Sequence, residues 1–146
     1  MSSAQDQATT RTATPEPAAP YAALRGNCMG AAILLIAQFA LGMGVNLYVS
    51  VPRHKSFLPA VFSSVVLAAH AILALALLGA AGAALVRAIR LRIAIIFTAI
   101  GLAAVLTAAI SGATFVKNAS NGASLAMALA TAVAMFSYLA AVFRLR

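Results

Sequence analysis

The chain has 146 residues, of which 64% are hydrophobic and 8% charged, and a mean hydropathy of +1.01. Soluble domains carry about a quarter charged residues and just under half apolar ones, so a soluble globular fold is excluded at the outset. The net charge is +8, yet the bases stand between apolar blocks with no aromatic-basic surface. That distribution argues for membrane topology and against a nucleic-acid partner.

Residues 1–24 read as a disordered tail ahead of a membrane domain over 25–146. The first twenty hold Pro15, Pro17, Pro20 and both acids, Asp6 and Glu16, with no apolar periodicity. A secretory signal is not expected there, because a basic start and a short apolar stretch are missing. Four apolar blocks follow, at about 28–51, 57–86, 93–116 and 122–143, none containing an acidic or basic side chain other than His70. Each meets the roughly 20 residues a helix needs to cross the ~30 Å hydrocarbon core. Barrel strands, at about 10 alternating residues, do not fit. The second block exceeds a span and is expected to tilt or protrude, with Pro59 in its first helical turn. The joins Pro52–Ser56, Arg87–Arg92 and Lys117–Asn121 are short, which makes consecutive helices antiparallel neighbours. The expected fold is therefore an all-α, polytopic four-helix transmembrane bundle.

Orientation follows from the bases. Arg11, Arg25, Arg87, Arg90, Arg92, Arg144 and Arg146 fall on one side, and Arg53, Lys55 and Lys117 on the other. The excess places both termini in the cytoplasm of a bacterial cell. Arg87, Arg90, Arg92, Arg144 and Arg146 form a rim suited to anionic phospholipid headgroups.

Intramembrane polar residues usually face other helices, so their spacing marks the inner faces. Gln38, Gly42, Asn46 and Ser50 recur every four residues in the first block. Ser63, His70 and Leu77 are seven apart in the second. Gly101, Ala104, Ala108, Ser111 and Gly112 form a small-residue stripe in the third, and Ser124, Thr131 and Tyr138 are seven apart in the fourth. Spacings of four and seven keep side chains on one helical face. The expected polar interior is thus Gln38, Asn46, Ser63, His70, Ser111, Thr131 and Tyr138. The small-residue runs Ala104–Ala108–Gly112 and Ala126–Ala130–Ala134 suit close packing within the bundle or a homo-oligomer contact.

His70 is the sharpest chemical candidate, mid-way along its block. No carboxylate lies in any block to offset an imidazolium charge, so a neutral ring is expected, with one donor and one acceptor. Such a ring can hydrogen-bond Gln38, a threonine, a carbonyl or water, or it can ligate a haem iron. Unless the iron is five-coordinate, haem would need Met43, Met127 or Met135 as a second axial ligand, because His54 is about 24 Å away along a helix. The missing carboxylates also exclude hard-cation cages and a Ser-His-acid triad, and no glycine-rich phosphate loop is present. The single cysteine, Cys28, reads as a small apolar residue at a membrane edge and excludes paired-thiol chemistry. His54, between Arg53 and Lys55, reads as a solvated loop residue.

Several stretches together resemble a family of uncharacterised four-span integral membrane proteins of actinobacteria. They are 41–49 at the end of the first block, His54, Ala68-Ala69-His70, Arg87-Ala88-Ile89-Arg90, 111–115 and Ser124-Leu125-Ala126-Met127. Lys55 and Ser111 stand where that pattern has Pro and Asn. The resemblance implies a fold and a membrane address, not an activity. The expected function is non-enzymatic: an accessory or scaffold subunit beside a membrane protein partner, or a small-ligand binder. The alternatives are haem-linked electron transfer through His70, or a small transporter or channel.

Overall fold

In the computed structural model, residues 19–49, 56–118 and 120–146 are described, and every element among them is helical. The order is α1 (Ala19–Tyr48), α2 (Phe57–Val61), α3 (Val65–Leu91), α4 (Ile95–Asn118) and α5 (Asn121–Arg144). All but α2 are long and apolar enough to cross a membrane. The protein is an all-α, membrane-spanning four-helix bundle.

Two boundaries depart from the sequence reading. Helix α1 begins at Ala19, well before the expected start near 28, so residues 19–24 of the expected tail are helical. Pro20 is tolerated there because the first-turn N–H groups have no helical partner to lose. The second block does not run through as one tilted helix: it breaks between Val61 and Val65. Ser63 explains the break. Its hydroxyl donates to the Ala60 carbonyl at 2.6 Å, and its backbone N–H donates to the same oxygen at 3.2 Å. Serine side chains of this kind offer the backbone an alternative to the helical ladder. Pro59 does lie in the first turn of α2, behind Ser56 at the N-cap.

The four long helices close a ring in which α4 packs most intimately on α5 and α1 on α3, with α1–α5 and α3–α4 completing the circuit. The short α2 leans on α3 and α4. At one end of the bundle the ring is tight. Leu24, Cys28, Ala31 and Leu35 of α1 meet Ala81, Ala84 and Ala88 of α3 and Tyr138 and Ala141 of α5 in one fully buried cluster. Alanine on facing helices lets the backbones approach, and this packing, not hydrophobic drive, holds helices together in lipid. Cys28 thus belongs to the helix–helix core.

Tyr138 is the largest side chain in that core and is wholly buried. Its ring packs closely against Gly101 of α4: a Cβ at that position would sit 2.7 Å from the ring Cζ. Gly101, the first residue of the small-residue stripe in the third block, therefore serves as the seat for an aromatic ring. Buried Thr98, Thr131 and Ser137 satisfy their hydroxyls on their own helices, donating to carbonyls three or four residues earlier.

The same end carries the arginines. Arg87 Nη1 donates to Asn27 Oδ1 at 2.9 Å and to the Ala23 carbonyl at 3.2 Å, tying the start of α1 to the end of α3. Arg25, Arg90, Arg92, Arg144 and Arg146 are exposed around it. Helix α3 stops in a Schellman turn: Arg92 N–H donates to the Ile89 carbonyl and Ile93 N–H to the Ala88 carbonyl. Arg92 takes the left-handed backbone that this turn requires, at φ 54°, where glycine is the usual residue. Ala94 follows at φ 55° and opens α4.

Candidate functional site

Toward the opposite end the helices part. A cavity of about 350 Å³ opens between α1, α3, α4 and α5, and α2 contributes Phe57, Leu58 and Val61 to its wall. The wall is almost wholly apolar, and its size falls within the usual range for small-molecule sites. Helix α1 presents Gln38, Gly42 and Asn46 to it, α3 presents His70, and α5 presents Ser124 and Thr131.

Gln38 and His70 form the centre of this wall. The Gln38 amide nitrogen lies 3.1 Å from the His70 backbone carbonyl and 3.2 Å from His70 Nε2. A carbonyl can only accept, so the atom facing it must be the amide nitrogen and not Oε1. That nitrogen can only donate. The imidazole Nε2 beside it must therefore present its lone pair, and the ring proton must sit on Nδ1. An imidazolium would place an N–H against an N–H here. The geometry selects the neutral Nδ1–H tautomer.

Two groups are left over. Gln38 Oε1 and His70 Nδ1 are buried and have no hydrogen-bond partner within the protein. One is an acceptor and the other a donor. Unpaired polar groups in an apolar setting cost about 1–3 kcal/mol each, so each calls for a partner. Gln38 itself is 8% exposed. Gly42 makes the arrangement fit, since a Cβ there would stand 3.1 Å from His70 Cε1. The four-residue spacing of Gln38 and Gly42 is thus a matched pair: one residue holds the ring and the other makes room for it.

This arrangement bears on haem. Iron coordination needs a ring lone pair. The Nε2 lone pair of His70 is taken by Gln38, and Nδ1 carries the proton, so the ring as held does not fit an axial ligand. Met43 and Met127 line the cavity, with the Met127 sulfur 3.4 Å from where a Gly112 Cβ would stand. Met135 packs against the core cluster at the other end.

The remaining expected interior residues separate. Asn46 lies on the cavity wall but is exposed. Ser63 sits in the α2–α3 break, bonded to Ala60, and faces no interior. Ser111 is half-buried outside the cavity lining, and Tyr138 belongs to the tight end. Thr131 is buried on the cavity wall, its hydroxyl donating to the Met127 carbonyl at 2.8 Å. Ser50, Arg53 and His54 lie outside the described residues. Among the described residues, no cluster of His, Cys, Asp or Glu could hold a metal ion. At the arginine end, Arg92 and Arg144 flank a separate shallow groove with Ile95, Ile96 and Phe97. Arg146 stacks over the Phe143 ring at 4.5 Å.

No protein-family model, curated protein or solved structure matches the chain. Four apolar helices define a multi-pass membrane protein.

Proposed function

We propose that this is a non-enzymatic, four-span membrane protein that binds a small, uncharged, mainly apolar molecule in the cavity beside Gln38 and His70. One observation carries the reading: an apolar intramembrane cavity is bordered by Gln38 and His70, whose Oε1 and Nδ1 lie buried behind its wall with no partner in the protein. Sites for small molecules commonly combine apolar walls with a few convergent polar groups. The cavity wall brings no ionic side chain from the described residues, so an ionic cargo has nothing to offset its desolvation.

The membrane proposed is the bacterial plasma membrane, with both termini in the cytoplasm. Arg25, Arg87, Arg90, Arg92, Arg144 and Arg146 at one end of the bundle support that orientation, with Lys117 at the other. The same end suits anionic phospholipid headgroups, most directly at the groove flanked by Arg92 and Arg144. Membership of the actinobacterial family and a role as accessory subunit or homo-oligomer belong to the same reading. The exposed outer faces of all four long helices leave room for lipid or for a helical partner.

Filling the cavity tests the proposal. Ala108 of α4 lines it, and Ala108→Phe would occupy much of its space. Native mass spectrometry of the protein released from mild detergent should show a non-covalent small-molecule adduct on the wild type and none on Ala108→Phe. A bare wild-type chain, or an adduct retained in full by the filled variant, would overturn the proposal.

A further inference from the structure

The unmet pair at the cavity wall specifies more than a volume. Gln38 spends both amide hydrogens on His70, one on its carbonyl and one on Nε2. What remains is one acceptor, Gln38 Oε1, and one donor, His70 Nδ1–H, on neighbouring helices and in the same wall. A ligand with an acceptor-only head, such as an ether, an ester or a quinone carbonyl, can satisfy the ring and leaves Oε1 bare. A pure hydrocarbon satisfies neither. An anion would have to shed its charge on entry, since no cation lines the cavity among the described residues. Only a neutral head that both donates and accepts meets both atoms.

Resting on the binding function proposed above, we infer that the cavity takes a neutral amphiphile whose head is a hydroxyl or carboxamide and whose body is apolar. The head accepts from His70 Nδ1–H and donates to Gln38 Oε1. The body lies along Met43, Phe39 and Leu75 on one side and Val105, Ala109 and Met127 on the other. Both polar atoms are shielded behind the wall, so the head reaches them through a small shift of the side chains on α1 and α3 as it seats. Discrimination arises because a head that lacks the donor leaves Gln38 Oε1 unpaired, as it is in the empty cavity, and forgoes the second hydrogen bond.

Three probes of equal chain length separate the cases: 1-dodecanol, dodecyl methyl ether and dodecane, titrated at matched mole fraction in detergent micelles. Methyl-labelled methionine reports occupancy through Met43 and Met127, whatever the head group. Nitrogen-labelled histidine reports the head through His70 Nδ1. The inference predicts that dodecanol shifts the Met43 and Met127 signals with about tenfold higher apparent affinity than the ether, and that dodecanol and the ether, but not dodecane, move His70 Nδ1 downfield. Gln38→Leu should bring dodecanol down to the level of the ether, and Gln38→Met serves if that variant fails to fold. The wild-type comparison stands without either variant. Equal binding of all three probes, or methionine shifts with an unmoved Nδ1, would refute the head-group inference and leave the cavity reading intact. Failure of every probe to shift Met43 and Met127 would remove the cavity reading itself.

Discussion

The contact between Gly101 and Tyr138 gives the fold its most direct physical test. A Cβ at position 101 would stand 2.7 Å from Tyr138 Cζ and 2.8 Å from Cε2. Carbon atoms rest at about 3.5–4.0 Å, so the ring must retreat by about 0.8 Å or more. It has nowhere to go, because Tyr138 is fully buried beside Cys28, Ala134 and Ala141. Overpacking of this kind costs about 1–3 kcal/mol. Alanine regains up to about 1 kcal/mol of helix propensity over glycine in water. That gain is smaller in a micelle, where the unassembled helices stay helical. Gly101→Ala should therefore destabilise the tight end by about 1–2 kcal/mol, a factor of about 5–30 in the open population. The protein carries its own reporter. Cys28, the single cysteine, is fully buried in the same cluster, and a thiol reagent reaches it only through local opening. Its alkylation rate should rise by about that factor in Gly101→Ala. Tyr138→Leu alone should also raise the rate by leaving a void. Adding Gly101→Ala to Tyr138→Leu should lower the rate again, because the new methyl fills space the ring has vacated. An unchanged rate in Gly101→Ala, or simple addition in the double variant, would refute the packing account.

The turn between α3 and α4 offers a prediction of opposite sign. Ala94 is held at φ 55°, a conformation that costs a residue with a Cβ about 1–2 kcal/mol. Ala94→Gly should raise the midpoint of denaturation by sodium dodecyl sulfate, followed by circular dichroism, by an amount equivalent to about 1 kcal/mol; a lower midpoint would contradict it. Arg92→Gly removes the same strain at φ 54°. Because Arg92 also flanks the basic groove, its gain should be smaller in vesicles rich in anionic lipid than in neutral micelles, and an equal gain in both would argue against a headgroup contact.

Much of the architecture is legible in the sequence because the bilayer imposes a strong rule. A helix must satisfy its backbone internally, so length and apolarity alone locate the spans. The start of α1 was less visible, since Pro20 and the polar residues around it look like tail until Leu24 and Cys28 are seen packed in the core. The break after Val61 carried a signal in Ser63 and Ser64. Serine in a long apolar block reads equally well as an inner-face residue, and only the Ser63–Ala60 hydrogen bond decides. The four-residue spacing picked out Gln38 and Gly42 as neighbours on one face. It did not show that His70 lies against both, because that contact joins residues 32 apart in sequence. Asn46 follows the same spacing and is nevertheless exposed, while Val45 beside it is buried. Thr98 and Ser137 were not singled out. Their hydroxyls are satisfied within their own turns, so burial carries no pattern distinguishing them from other threonines and serines.

The protonation state of His70 tests the central claim most directly. The head-group chemistry proposed for the cavity follows from Gln38 donating to His70 Nε2 and leaving a proton on Nδ1. Nitrogen-15 spectra of histidine-labelled protein, with His54→Gln used to assign the two rings, distinguish a protonated from a bare ring nitrogen. The account predicts a neutral His70 with a proton on Nδ1 and a lone pair on Nε2, and loss of that preference in Gln38→Leu. A wild-type ring protonated on Nε2, or on both nitrogens, would contradict it.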